Sequence, residues 1–156
     1  MDGNSIALIG IALSTFLAGT GSALGVSIAG QAGTGVLSEK PELFGKVLVL
    51  QSLSGTQGIY GFLISILLLQ ATGYLGGGII PLTPDQGWAV FAAAMPIAVV
   101  GLTSGIYQGK AAAASILMTS KNPSMSARGM TMTALVETYA ILALLVSVLL
   151  YTSLPI

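Results

Sequence analysis

The sequence predicts an all-α membrane protein whose four transmembrane helices form two tandem helical hairpins. Three observations carry that reading. The 156 residues are 54% hydrophobic and 6% charged, with a mean hydropathy of +0.92, whereas soluble domains are about 25% charged. Four long apolar segments cover residues 6–37, 47–72, 87–119 and 129–153, and each reaches the roughly 20 residues that carry a helix across a bilayer core. The second half of the chain also repeats the first.

The opening segment is too long and too poor in basic residues for a cleaved signal, since its only early charge is Asp2. It reads as a retained first helix. The first and third segments exceed a bilayer core, so they are expected to tilt or project from it. Pro96 lies inside the third and is expected to kink it. Ser38-Glu39-Lys40-Pro41-Glu42 and Ser120-Lys121-Asn122-Pro123-Ser124 are short polar turns, whereas residues 73–86 are rich in Gly and Pro and nearly uncharged. Lys40, Lys46, Lys121 and Arg128 cluster at the two short turns. Basic residues stay on the cytoplasmic side, so these turns are expected to be cytoplasmic, with both termini outside the cell membrane.

Placing Pro41 over Pro123 aligns Gly19 with Gly101, Ser22 with Ser104, Lys46 with Arg128, Thr56 with Thr138 and Ile59 with Ile141. Residues 6–72 and 87–153 are thus two hairpin repeats within one membrane domain. Gly55 falls opposite Glu137, so only one half carries a carboxylate. Gly101, Gly105, Gly109 and Ala113 make a stripe of small residues on helix 3, and Gly19, Gly21, Gly25, Ala29 and Gly33 make a similar one on helix 1. Such stripes let backbones approach closely in lipid. Helices 1 and 3 are expected to pack against copies of themselves, with the Leu/Ile/Val-rich helices 2 and 4 facing outward.

Composition excludes much chemistry. With neither Cys nor His, disulfides, thiol catalysis, imidazole catalysis and ordinary zinc sites are ruled out. Zero formal net charge argues against a nucleic-acid partner. Gly19-Thr20-Gly21-Ser22-Ala23-Leu24-Gly25 looks like a dinucleotide fingerprint but lies in an apolar helix without a preceding strand. The loop around residues 76–78 lacks the lysine of a phosphate cradle, so no nucleotide is expected on this chain.

Glu137, in Ala134-Leu135-Val136-Glu137-Thr138-Tyr139, is the one carboxylate deep in an apolar segment. A charge at a helix centre costs about 2.5–3.5 kcal/mol on insertion scales, so something must neutralise it. Glu137 lies 14 residues after Pro123 and Gln108 lies 15 before it, while Thr56 and Gln57 lie 15 and 16 after Pro41. At a rise of about 1.5 Å per residue, the four side chains meet at one level, with Tyr60 a turn from Gln57. All the donors are oxygen, which suits a hard cation, and one carboxylate suits a monovalent one. A carbonyl near Leu53, loosened by Gly55, supplies a fifth oxygen. Sodium is favoured over a proton, which needs no pair of glutamines.

Leu53-Ser54-Gly55-Thr56-Gln57-Gly58-Ile59-Tyr60-Gly61, Gly105-Ile106-Tyr107-Gln108-Gly109-Lys110 and Val136-Glu137-Thr138-Tyr139-Ala140 resemble the sodium-site segments of the K subunit (proteolipid) family, which forms the rotor rings of bacterial V-type sodium-transporting ATPases. The resemblance implies sodium held by the Leu53 carbonyl, Thr56, Gln57, Gln108 and Glu137, with Tyr60 hydrogen-bonded to the glutamate. It also implies a homo-oligomeric ring, helices 1 and 3 inside, turning in lipid against a stator membrane subunit and driven through a central stalk. The chain itself would be a non-catalytic subunit. Ser54 stands where such proteins often have proline, which bears on the bend of helix 2 rather than on the ligands.

Blander readings compete. Thr56 could bond back to its own helix, and Gln57 and Gln108 could be interhelical glue. Tyr139 follows Glu137 by two residues and reads as packing; Lys110 reads as a snorkelling residue. A proton-carrying rotor is the alternative function. A small four-helix secondary transporter fits less well, because it would want aromatics around the carboxylate and has no need of tandem hairpins.

Overall fold

The computed structural model describes residues 1–156 and contains only helices. Helix α1 spans Gly3–Glu39, α2 Phe44–Ser52, α3 Thr56–Ala71, α4 Pro84–Lys121 and α5 Ser126–Thr152. Short 3-10 turns at Pro41–Leu43 and Pro123–Met125 open the returning arm of each hairpin, and a third at Leu53–Gly55 joins α2 to α3. The four spans therefore run Gly3–Glu39, Pro41–Ala71, Pro84–Lys121 and Pro123–Thr152, each long and apolar enough to cross a membrane. The chain is a multi-pass membrane protein.

Helix ends follow local chemistry. Asp2 caps α1 by accepting the Ser5 N–H at 3.0 Å, and its hydrogen bonds with Ser5 hold its carboxyl below the usual 3.8. Thr83 and Gln86 form a reciprocal capping box at the start of α4. Prolines at the first turn position set φ and need no N–H there, which explains why both hairpin turns begin with one. Lys40 donates to the Ser120 carbonyl and Lys46 donates to the Pro123 carbonyl at 2.9 Å, so the lysines of the first turn hold the second. At the opposite end, Asn4 donates to the Ile80 carbonyl and accepts the Leu82 N–H, each at 2.9 Å.

Helices α1 and α4 pack side by side, α3 lies on α1, and α5 lies on α4. The small-residue stripes of helices 1 and 3 already make a close approach to each other within one chain. A Cβ added at Gly21 would stand 2.6 Å from the Gly101 carbonyl oxygen, and one at Gly25 would collide with that of Gly105. The reason is the repeat: α1 and α4 are themselves duplicate copies, so each stripe finds its complement in the same molecule.

Two further features concern a proline and a serine in a proline's place. Helix α4 runs unbroken through Pro96, and the neighbouring Ile97 N–H donates to Ser147 Oγ at 3.3 Å. The second span is interrupted at Leu53–Gly55 although Ser54 replaces a proline, with Ser54 Oγ donating to the Gln51 carbonyl at 3.0 Å.

Replacing Gly25 by Ala should cost about 1–3 kcal/mol, because the extra methyl overpacks a seam of backbone on backbone. Gly35 has open space around an added Cβ, so Gly35→Ala should be neutral or gain up to about 1 kcal/mol of helix propensity. Thermal unfolding in detergent, with the two variants moving in opposite directions, checks this.

Candidate ion-binding site

Three spans meet at Glu137, which is half-buried on α5. Tyr60, one turn beyond Gln57 on α3, donates its O–H to Glu137 Oε1 at 2.6 Å. Gln108 of α4 reaches the other carboxylate oxygen, its Nε2 lying 3.5 Å from Oε2. Gln57 Nε2 in turn donates to Gln108 Oε1 and to Ser104 Oγ, the latter at 3.3 Å. Both glutamines are fully buried. Of the layer counted from the two turn prolines, Gln57, Gln108 and Glu137 form a hydrogen-bonded chain that ends at Tyr60.

Leu53 and Thr56 sit at the 3-10 break. Thr56 Oγ1 donates to the Leu53 carbonyl at 3.2 Å, the local bond that short hydroxyl side chains make to their own helix. The two oxygens are therefore adjacent, and their link runs to each other rather than to Glu137.

Two further polar residues, unforeseen from the sequence, join this network. Ser22 of α1 accepts the Gly58 N–H at 2.8 Å, and its hydroxyl lies 3.5 Å from Gln57 Oε1. Ser104 donates to the Val136 carbonyl at 3.1 Å, immediately before Glu137. The signal was present: the repeat aligns Ser22 with Ser104, and Ser104 precedes Gln108 by one helical turn on the same face.

The remaining candidates lie elsewhere. Tyr139 faces a groove with Val100, Thr103 and Tyr107, away from the carboxylate. Lys110 is exposed, its ammonium 5.0 Å from the centre of the Tyr107 ring. The hydrogen-bond partners of Glu137 are neutral, so they orient the carboxylate without cancelling its charge. Every buried side-chain nitrogen and oxygen in the chain has a hydrogen-bond partner, which leaves the layer no orphaned polar atom. Of the predicted sodium ligands, Gln108 hydrogen-bonds Glu137, Gln57 joins through Gln108, and Thr56 and the Leu53 carbonyl bond to each other.

Comparison with known proteins agrees with this architecture. The profile of the ATP synthase C-subunit family matches twice, at residues 9–68 and 91–150, the two matches displaced by the same interval that separates Pro41 from Pro123. The V-type sodium ATPase subunit K of Enterococcus hirae is 42% identical over 148 residues, covering 95% of this chain and 91% of that protein. The A-type ATP synthase subunit K of Methanocaldococcus jannaschii is 39% identical over 142 residues, or 91% of this chain, which spans only 60% of that relative. Two family units in one chain, joined by the long loop and folded as repeated hairpins, place this protein in the ATP synthase C-subunit family.

Proposed function

We propose that this chain is the ion-carrying rotor subunit of a V-type ATPase, with Na+ as cargo at Glu137. Copies would form a ring in the cell membrane, its short turns cytoplasmic and its termini outside. The ring would turn against a stator membrane subunit that releases and exchanges the ion. ATP hydrolysis in a separate soluble head would drive it through a central stalk. The observation that carries the reading is the convergence of Tyr60, Gln108 and Gln57 on the lone carboxylate of the apolar spans. The sodium ATPase subunit among its relatives supports the choice of ion.

The mechanism follows from charge and donor chemistry. Sodium on the carboxylate removes the net charge, so a loaded site can pass lipid; a divalent ion would leave the site positive. Leu53 O and Thr56 Oγ1, 3.2 Å apart, can share one cation, since hard ions of similar size hold oxygens at about 2.3–2.6 Å. Gln57 and Gln108 point N–H groups along the chain toward Glu137; a half-turn of each amide presents its oxygen instead. Ser22 can accept as readily as donate, so its bond to Gln57 survives that turn, whereas Ser104 has one proton and must give up either Gln57 or the Val136 carbonyl. Tyr60 holds Oε1 and leaves Oε2 to the ion.

Carbodiimide labelling of Glu137 in purified membranes, across a sodium titration at fixed pH and ionic strength, tests the reading. Protection by sodium is the expected result. Labelling indifferent to sodium but suppressed by raising pH would assign protons instead, and Glu137 that never labels would remove its exchange role. Glu137→Gln should abolish both the labelling and ATP-driven sodium uptake.

Variants around the carboxylate sharpen this. Tyr60→Phe removes a hydrogen bond to a charged group, worth about 1.5–3 kcal/mol, and should raise the low-sodium labelling rate about tenfold or more. Ser22→Ala removes one neutral hydrogen bond of about 1 kcal/mol from Gln57 and should raise the half-protecting sodium concentration about fivefold.

A further inference from the structure

Ser22 and Ser104 are images of one another in the repeat, 82 residues apart as Pro41 and Pro123 are. Both are buried, and both lie against the amide of Gln57. A serine hydroxyl carries one proton and two lone pairs. What each can offer Gln57 therefore depends on what it has already committed to the backbone.

The two have committed opposite parts. Ser22 Oγ accepts the Gly58 N–H at 2.8 Å, a group in the first turn of α3, where N–H groups lack partners within their own helix. The Ser22 proton stays free, and its hydroxyl lies 3.5 Å from Gln57 Oε1. Ser104 Oγ lies 3.1 Å from the Val136 carbonyl oxygen. A carbonyl can only accept, so that contact takes the one proton Ser104 has. Lone pairs alone remain for Gln57, whose Nε2 stands 3.3 Å away. Ser22 thus meets the amide with a donor and Ser104 with an acceptor. One orientation of Gln57 satisfies both.

That orientation propagates. With its N–H group on this side, Gln57 donates to Gln108 Oε1. Gln108 must then turn its Nε2 toward Glu137, where it stands 3.5 Å from Oε2. Every link from Ser22 to Glu137 runs toward the carboxylate, and Tyr60 adds another from the far side at 2.6 Å. This arrangement suits a carboxylate with no ion on it. A hard cation at Oε2 needs amide oxygens instead, so both amides must turn.

The turn affects the two serines differently. Ser22 gives up only a 3.5 Å contact at the limit of a hydrogen bond and accepts the Gln57 N–H in its place. Ser104 comes to face an amide oxygen. It either keeps Val136 and leaves that oxygen unpaired, or releases Val136. One bond is lost either way.

We infer that Ser104 is a positioning residue that holds the glutamine amides in the ion-free orientation, loosening the grip on sodium and easing its release. This role rests on sodium being the cargo, as proposed above, and adds what sets the strength of its binding. A site that loads and unloads as the ring turns works faster when its empty form is stabilised, because tight binding slows departure.

The plainer role for Ser104 is to tie α4 to α5. Ser115 shows that role by itself. About three turns further along α4, it is also buried, donates to the Gly129 carbonyl at 3.1 Å and lies 3.2 Å from Thr133 Oγ1. It touches neither glutamine. Ser104 makes the same kind of bond to α5 and takes the Gln57 amide as well, and that second contact differs between the empty and loaded forms.

Ser104→Ala removes two hydrogen bonds from the empty site and one from the loaded site. Half-protection of Glu137 against carbodiimide in purified membranes should therefore need about fivefold less sodium, the worth of one neutral hydrogen bond. Ser115→Ala removes its bonds from both forms alike and should leave that concentration unchanged. Thermal unfolding in detergent gives a second readout. Both variants should unfold earlier without sodium, but saturating sodium should raise the unfolding temperature of Ser104→Ala by more than that of the wild type, and that of Ser115→Ala by the same amount. A merely structural loss at Ser104 would loosen the site and move half-protection to higher sodium. Half-protection of Ser104→Ala at equal or higher sodium than wild type, or an equal fall in Ser115→Ala, would overturn the inference while leaving sodium as the cargo. Wild-type labelling that ignores sodium would remove the ion choice and the role of Ser104 with it.

Discussion

A carboxylate at the depth of Glu137 has little water to solvate it, and that cost organises the helices around it. A lone charge at a helix centre costs about 2.5–3.5 kcal/mol, and each buried amide or hydroxyl recruited to help must itself be satisfied. The demand therefore spreads outward, from Tyr60 and Gln108 to Gln57, and from Gln57 to Ser104 and Ser22. The chain of partners ends only where backbone groups are reached, at the Gly58 N–H and the Val136 carbonyl. Such a network tolerates no slip. Moving α4 by one residue would turn Gln108 by about 100° and take it off the face that meets α5.

The glycine seam supplies that register. Where Gly21 and Gly25 of α1 meet Gly101 and Gly105 of α4, backbone touches backbone and the relative height of the two helices is set by steric fit. Ser22 follows Gly21 and Gln108 precedes Gly109, so the polar layer is tied to the same contact that packs the fold. In lipid, where apolar surface gains nothing by leaving its surroundings, close packing of small residues is the available source of helix association. Fold stability and site geometry therefore rest on the same residues.

The spans and the polar layer were legible in the sequence for a physical reason. Helices rise by a constant step, and Pro41 and Pro123 mark a common zero at one end of both hairpins. Counting from them brought Glu137, Gln108, Thr56 and Gln57 to one level with Tyr60 a turn away; hydrogen bonds join Gln57, Gln108, Glu137 and Tyr60, while Thr56 bonds back to Leu53. Three features were not legible. Small-residue stripes show that a helix packs closely but do not name its partner, and the close contact between the stripes of α1 and α4 within one chain was not foreseen. Serine is common in apolar helices as a small packing residue, so Ser22 and Ser104 did not stand out beside two glutamines. The break at Leu53–Gly55 carries no proline to announce it, and the bond from Thr56 back to Leu53 depends on that break.

The neutrality of these partners bears directly on what the site can do. Had a Lys or Arg been paired with Glu137, the charge would be satisfied permanently, and separating a buried ion pair costs about 3–5 kcal/mol. Such a carboxylate would be a structural anchor. Amides and hydroxyls instead orient the carboxylate, stabilise it in part, and leave its net charge standing. On the proposed function a mobile cation completes the neutralisation, and one that arrives from water returns to water when a stator charge takes its place.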